Sequence, residues 1–259
     1  MSWWGKLIGG GFGFMLGGPL GALMGMAAGH QFDRGLNAVD LEPGNTERVQ
    51  LAFFTATFSV MGYLAKADGK VSRSEIQMAE NIMAQMNLDA KQRKTAIELF
   101  NQGKEDDFPL NDILHQFKIE CHRRTNLLQM FLEILIATAY ADNQLDKAEH
   151  LALQDIAQQV GFSSAQLEQL INMVGAQQQY SRQSSHTDTK TSLNQAYAVL
   201  GVDSEISDSA LKKTYRRLMS QHHPDKLVAK GLPEEMIKLA NQKTAEIKNA
   251  YEQIKNSRK

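Results

Sequence analysis

Two histidines, a proline and an aspartate are consecutive at residues 222–225, and their side chains could do the most varied chemistry in this sequence. Histidine and aspartate together can ligate a metal ion or transfer protons in catalysis. A metal site needs further ligands at a suitable spacing, and catalysis needs a nucleophile and a pocket. Nothing around His222, His223 and Asp225 supplies either. The sequence therefore predicts no metal site, no catalytic residue, no cofactor and no enzymatic activity.

The residues before this tetrapeptide follow the pattern of an amphipathic helix. Leu211, Tyr215 and Leu218 are spaced i, i+4 and i+7, which is typical of a buried helix face. The adjoining positions carry four cations, which we call the basic ridge: Lys212, Lys213, Arg216 and Arg217. Such a run is most often only a solvated face, so the ridge alone does not define a function.

Pro224 should end this helix near His222, because a proline disfavours the α conformation in the residue before it. We therefore predict that His223, Pro224 and Asp225, called here the HPD turn, lie in a loop that runs to Leu232. Pro233 suits the first position of a second helix. The predicted buried face of that helix consists of Ala240, Thr244, Ile247, Tyr251 and Ile254. The pattern indicates two antiparallel helices with the HPD turn at their exposed tip.

Four blocks of this region, at residues 196–202, 211–218, 222–226 and 247–251, resemble the J domain of DnaJ proteins in order and spacing. The resemblance implies that residues 193–259 form a J domain whose partner is a DnaK-type chaperone. It further implies that the basic ridge docks on an acidic surface of that ATPase, while the HPD turn contacts the region of its interdomain linker. Thr244 departs from the family, which commonly has phenylalanine there.

The charge distribution is uneven along the chain. Residues 193–259 carry 12 Lys/Arg and 8 Asp/Glu, a net charge of +4, and the rest of the chain has a net charge of −5. A basic module favours an acidic partner. Nucleic acid is one alternative, but the ridge is short and lacks a recognition helix with base-reading side chains. We expect no nucleic-acid binding.

The N-terminal region predicts a membrane span. After a short tail at residues 1–6, residues 7–29 contain no charged side chain, and a helix of this length covers a bilayer core. The run is too long for a signal peptide, too apolar for a glycine linker, and lacks the lysine of a phosphate-binding loop. Glycines recur at every fourth position, forming what we call the glycine stripe: Gly9, Gly13, Gly17, Gly21, Gly25 and Gly29. Such spacing favours helix association in lipid, so we predict a homodimer.

The flanking charges do not decide the orientation of this span. Lys6 and the α-amino group on one side nearly balance Arg34 and Arg48, with His30, on the other. A DnaK-type partner is cytosolic. We therefore expect a single-pass protein of the cell inner membrane, with its N-terminus in the periplasm and the bulk of the chain in the cytoplasm.

Between these regions, a connector at residues 30–46 leads to a predicted all-α domain at residues 47–175 and a polar, flexible linker at residues 176–192. An internal repeat relates residues 67–75 to residues 141–149. Each copy ends in an Asp…Glu pair that suggests half of a calcium loop. The two earlier ligand positions are Lys66 and Leu64 in the first copy and Tyr140 and Thr138 in the second, and none of these is the carboxylate or carboxamide typical of such a loop. Helix-start turns with Asp caps are the favoured interpretation, and weak metal binding is the alternative.

The repeat and its acidic turns resemble the TerB-like helical domain of tellurite-resistance proteins, and this resemblance implies an interaction module. The sequence as a whole predicts an all-α, membrane-anchored regulatory co-chaperone that stimulates a DnaK-type ATPase through its J domain. The alternative is a stress-signalling scaffold at the membrane that acts mainly through the central domain.

Overall fold

The computed structural model describes residues 18–24, 26, 46–67, 69, 73–86, 88–140, 145–183 and 189–258. These residues form helices and turns with no strand among them, which confirms the predicted all-α class. The helices are α1 (Thr46–Ala65), α2 (Arg73–Gln85), α3 (Ala90–Gly103), α4 (Leu110–Glu120), α5 (Thr125–Ala139), α6 (Lys147–Val160), α7 (Ser164–Gln183), α8 (Thr189–Val199), α9 (Asp208–His222), α10 (Pro224–Val228) and α11 (Ile237–Ser257), with a 3₁₀ turn at Glu234–Met236 before α11.

The central domain is built around α1, which packs against α3, α4 and α5. Its apolar side chains, such as Phe53 and Phe58, are fully buried. Two glycines let α1 and α3 approach closely: a Cβ on Gly62 would lie 1.9 Å from the Phe100 carbonyl oxygen, and one on Gly103 would lie 1.8 Å from the Ser59 oxygen. The contact between these helices is therefore made by backbone, and no side chain fits there.

The second copy of the internal repeat begins helix α6 with a capping box. The side chain of Asp146 accepts hydrogen bonds from the backbone N–H groups of Ala148 and Glu149, and Glu149 Oε2 accepts from the Asp146 N–H at 3.0 Å. Glu149, the last acidic residue of the calcium-like pattern, thus caps a helix. Among the described residues no cluster of three or more metal-ligating side chains occurs; residues 68, 70–72 and 141–144 of the repeat lie outside them.

The polar stretch after the central domain differs from the predicted flexible linker at residues 176–192. Helix α7 continues to Gln183, and the chain is helical again from Thr189. Ala176 packs against the core of the C-terminal region, and Gln177 is only 5% exposed. The helix continues because α7 packs against α8 of the following domain and has a tertiary surface to cover.

The C-terminal region forms the predicted helical hairpin, since α9 packs against α11. Leu211 and Leu218 are buried, and the rings of Tyr215 and Tyr251 stack with centroids 4.1 Å apart. Ile247 and Ile254 complete this core as predicted. Ala240 is an exception, because it belongs to the core of the central domain.

The hairpin is docked on the central domain. Four of its apolar side chains join the central core: Leu227, Leu232, Met236 and Ala240. Gly231, with a φ of 94°, lies so close to α1 that a Cβ would be 2.7 Å from Val49 Cγ1. Two hydrogen bonds join these regions: Asn126 Nδ2 donates to the Gln221 carbonyl at 2.9 Å, and Gln92 Nε2 donates to Glu235 Oε1 at 2.6 Å.

Only part of the predicted membrane span lies within the described residues. Residues 18–24 are helical, and Leu20, Leu23 and Met24 are buried against the central domain. The backbone N–H of Leu20 donates to Gln116 Oε1 at 2.8 Å. Within the described ranges, no helix has the length and apolar character needed to cross a bilayer.

Candidate chaperone-binding surface

The HPD turn is shaped by the proline at its centre. His223 is extended (φ −61°, ψ 123°), as the following Pro224 requires, and it caps the short helix α10. Its ring Nδ1 accepts a hydrogen bond from the backbone N–H of Asp225 at 3.2 Å. The predicted loop to Leu232 is thus partly helical, because Pro224 suits the first turn of a helix and the histidine ring supplies the cap.

The polar side chains of the HPD turn are open to solvent. The side chain of His223 is 44% exposed and that of Asp225 is 88% exposed, and His223 Nδ1 lies 3.9 Å from Asp225 Oδ2. The imidazole and the carboxylate are therefore available to a partner protein. Lys226 Nζ donates to Ser220 Oγ at 2.6 Å and braces the turn against the end of α9.

The basic ridge lies on α9 beside this turn. All four side chains of the ridge are exposed, and within the described part of the chain none is in an ion pair. The structure therefore brings together all seven residues predicted to bind a chaperone, in one helix and the turn that follows it. Uncompensated cations create a positive surface that steers an acidic partner and acts less at high salt.

His222, the residue before the HPD turn, has the opposite environment. It is 3% exposed, and its Nε2 lies 3.5 Å from Glu133 Oε1 of helix α5. Glu133 is also buried and pairs with Lys243 of α11, with Nζ to Oε2 at 3.0 Å. Gln129 Nε2 donates to the same carboxylate at 2.8 Å. One carboxylate of the central domain therefore pairs with Lys243 of α11 and lies beside the His222 ring of α9, whose Nε2 has no hydrogen-bond partner among the described residues.

The charges in this cluster follow from burial and neighbours. Burial lowers the pKa of His222, against an opposing effect of Glu133. Burial raises the pKa of Glu133, but His222, Lys243 and two hydrogen bonds oppose it and leave the pKa lower than usual. At neutral pH the carboxylate is thus ionised and the imidazole neutral, so Lys243 is the cation that compensates Glu133.

Sequence reasoning missed Glu133 and Lys243. One signal was present: Glu133 is the only charged residue in the apolar helix Thr125–Ala139. A charge in such a run is buried only with a partner, which indicates that some cation must reach it. The identity of that cation depends on how the two domains dock.

The other candidate residues of the sequence have simpler surroundings. Of the glycine stripe, only Gly21 lies within the described residues, and it is helical. Cys121, the single cysteine of the sequence, is buried, and burial raises the pKa of its thiol to about 12, which makes it a poor nucleophile.

Comparisons with known proteins fit this arrangement region by region. Residues 195–259 match the DnaJ domain, residues 54–172 match the tellurite resistance protein TerB, and residues 1–39 match the co-chaperone DjlA transmembrane domain. The co-chaperone protein DjlA of Coxiella burnetii is 46% identical over 270 aligned positions, which cover 100% of this chain and 99% of that protein. This chain belongs to the DjlA co-chaperone family. The DjlA proteins of Photobacterium profundum (42% identical; 97% and 98% covered) and Escherichia coli O157:H7 (40% identical; 98% of each covered) are similar.

Membership of the DjlA family confirms several predictions from the sequence. The chain has a J domain, a TerB-like central domain and an N-terminal transmembrane domain in the predicted order, and it is a membrane-anchored co-chaperone. No solved structure matches the chain.

Proposed function

We propose that this chain stimulates the ATPase of a DnaK-type chaperone at the cell inner membrane through its HPD turn and basic ridge. The observation that carries the proposal is the exposure of both features, on α9 and in the turn directly after it, while other side chains of the hairpin are buried against the central domain. The chain itself performs no bond-making step.

The basic ridge acts first, by orienting the encounter with an acidic surface of the ATPase. The HPD turn then presents the imidazole of His223 and the carboxylate of Asp225 from a backbone fixed by Pro224. These groups bind the hydrolysis-competent state of the partner better than its other states, and this difference in affinity shifts the population of the chaperone. The difference in affinity between the two states sets the upper limit on how far the hydrolysis rate can rise.

The test is the steady-state ATPase rate of a DnaK-type chaperone with the full chain in lipid nanodiscs. We expect His223→Gln to lose the stimulation, because it removes the ring from the HPD turn. His115→Gln, the same change at an exposed histidine of α4, should stimulate like the wild type. Equal stimulation by His223→Gln and the wild type would refute the proposal, and would favour a stress-signalling scaffold in which the central domain acts.

The orientation in the membrane follows from the partner. The partner and its ATP are cytosolic, so the J domain faces the cytoplasm and Met1 faces the periplasm. Tags at the two termini can be tested with protease on sealed inverted inner-membrane vesicles. The C-terminal tag should be cleaved and the N-terminal tag protected; the reverse pattern would overturn the orientation.

The homodimer is proposed to form through the glycine stripe, since small residues let two helix backbones meet in lipid. A Gly17→Leu/Gly21→Leu double variant should reduce crosslinked dimer in membranes. The single change Gly10→Leu, off the stripe, serves as the control. Undiminished dimer in the double variant would place the contact elsewhere in the chain.

A further inference from the structure

The turn between α4 and α5 carries an arginine in a backbone conformation that arginine rarely adopts. Arg123 has a φ of 60°, and among the described residues it is the only one other than glycine with a positive φ. Glycine takes up this conformation readily, whereas other residues are uncommon in it and are strained. Residues held in such conformations cluster at functional sites, so the side chain of Arg123 is a candidate for a role outside the fold.

The side chain of Arg123 takes no part in holding the turn together. It is exposed, and within the described part of the chain it forms no ion pair and no hydrogen bond. The next residue differs, because Arg124 is half-buried and its Nη1 donates to the Glu120 carbonyl at 3.1 Å. The carboxylate of Glu120 is buried and pairs with Arg48. Arg124 thus supports the turn, and Arg123 presents its charge to solvent.

This turn lies next to the chaperone-binding surface, because the start of α5 meets the end of α9. Asn126 Nδ2, in the first turn of α5, donates at 2.9 Å to the carbonyl of Gln221, in the last turn of α9. Arg217 Nη1 of the basic ridge donates to Gln221 Oε1 at 3.4 Å. Gln221 therefore contacts both the basic ridge and the start of α5, and it precedes His223 by two residues.

Arg123 and His223 lie close enough together for one partner to contact both. Arg123 is three residues from Asn126, and three residues of chain span at most about 11 Å. His223 is two residues from Gln221, and two residues span at most about 7 Å. A standard interface covers about 800 Å² of each partner, which is a patch about 30 Å across. A protein seated on the HPD turn can therefore reach Arg123.

We propose that Arg123 extends the chaperone-binding surface across the domain boundary and pairs with an acidic group of the DnaK-type chaperone. The central domain then contributes a contact of its own, besides holding the J domain. An exposed cation at the edge of an interface acts mainly on the association rate and its salt dependence. The inference rests on the proposed function, since the HPD turn and Arg123 contact the same partner.

The test is stopped-flow association of the full chain with a DnaK-type chaperone at low and high salt. Nanodiscs of zwitterionic lipid hold the chain, so that Arg123 has no anionic headgroup to bind. Arg123→Ala should slow association about threefold at low salt and less at high salt. Arg123→Lys keeps the charge and should retain most of the rate. Arg73→Ala, the same change at an exposed arginine at the start of α2, should associate like the wild type.

A glycine variant separates binding from folding. Glycine suits the φ of residue 123, so Arg123→Gly should have a melting temperature no lower than that of the wild type. It should nevertheless associate about threefold more slowly, because the charge is gone. If Arg123 served only the fold, relief of the strain would leave the association rate unchanged. A wild-type association rate in Arg123→Gly would therefore overturn the inference.

The ATPase assay distinguishes failure of this inference from failure of the proposed function. If His223→Gln loses the stimulation and Arg123→Ala associates like the wild type, the inference is wrong and the proposed function stands. If His223→Gln stimulates like the wild type, both are wrong. A defect of Arg123→Ala that appears only in nanodiscs of anionic lipid would assign Arg123 to the membrane surface, and would also overturn the inference.

Discussion

His222 and His223 are consecutive, yet one belongs to the interior of the molecule and the other to its surface. The His222 ring is 3% exposed and faces the carboxylate of Glu133, whereas the side chain of His223 is 44% exposed and caps the HPD turn. The difference arises because α9 ends between them. His222 still follows the helix face that meets the central domain, and Pro224 turns the backbone at His223 away from it.

This contrast extends to the whole hairpin. One set of contacts, made through Glu133, Lys243 and Leu227, attaches the J domain to the central domain. The other set, the basic ridge and the HPD turn, is left for a partner. A J domain fixed in this way presents its HPD turn in one orientation, whereas a J domain on a flexible linker would sample many. Attachment and recognition can thus be altered separately.

The largest effect should come from the buried carboxylate. Glu133→Leu leaves the ammonium of Lys243, 14% exposed, without its anion, and should lower the free energy of unfolding by about 3 kcal/mol. Denaturant unfolding measures this. Adding Lys243→Leu should recover much of the loss, because a buried pair replaced by apolar groups is often tolerated. Glu80→Leu, at an exposed site of α2, should change stability by no more than about 0.5 kcal/mol. If Glu133→Leu lowered the free energy of unfolding no more than Glu80→Leu, the Glu133–Lys243 pair would not be what attaches the J domain.

Acid should weaken the attachment through His222. Burial lowers the pKa of this ring in the folded protein, so the unfolded chain takes up the proton first as the pH falls below the usual value near 6.5. The free energy of unfolding therefore falls from about pH 7 to about pH 5. The charged groups that act on the ring are Glu133, Lys243 and the exposed Arg217, and the carboxylate of Glu133, with its lowered pKa, stays ionised over this range.

Paired variants separate the two histidines. His222→Gln should flatten the pH dependence of stability between about pH 7 and about pH 5, and His223→Gln should keep it. Unfolding curves at several pH values give this comparison directly. An equal pH dependence in His222→Gln and the wild type would show that the buried ring does not control it.

The features of the hairpin that can be predicted from the sequence are those that depend on residues close together in the chain. The apolar spacing of Leu211 and Leu218 and the proline after His223 act over a few residues, and the hairpin, its exposed ridge and the turn were predicted from them. The capping of α6 by Asp146 is equally local. These features required no knowledge of how the domains pack.

The missed features depend on packing between segments far apart in the chain. Gln177 reads as part of a polar linker until α8 and α11 pack beside it. Pro224 shows that the helix ends between His222 and His223, but only the docking against α5 reveals that the His222 ring is buried beside a carboxylate. Ala240 was assigned to the hairpin core by its spacing, but Met236 and Ala240 pack on the central domain. The spacing of apolar residues shows that a helix face is buried, but it does not show which part of the molecule that face packs against.

A smaller loss of stability is expected when the hydrogen bond between Asn126 of the central domain and Gln221 of the J domain is removed. Asn126 Nδ2 donates to the Gln221 carbonyl at 2.9 Å, next to His222, so Asn126→Ala should lower the free energy of unfolding by about 1 kcal/mol. Asn172→Ala, an exposed asparagine of α7, is the matched control. Hydrogen exchange at the end of α9 should accelerate only in Asn126→Ala; unchanged exchange would mean that this bond does not hold the helix end.

The smallest effect on folding should come from the ridge. Lys213→Ala and Arg217→Ala remove exposed charges that stand outside any ion pair among the described residues, so stability should change by no more than about 0.5 kcal/mol. Association with the DnaK-type chaperone should nevertheless slow, and the remaining rate should depend less on salt, because steering by these charges is lost. Stopped-flow association at low and high salt measures both. If a ridge variant lost stability but kept its association rate, the ridge would support the fold and would not recognise the chaperone.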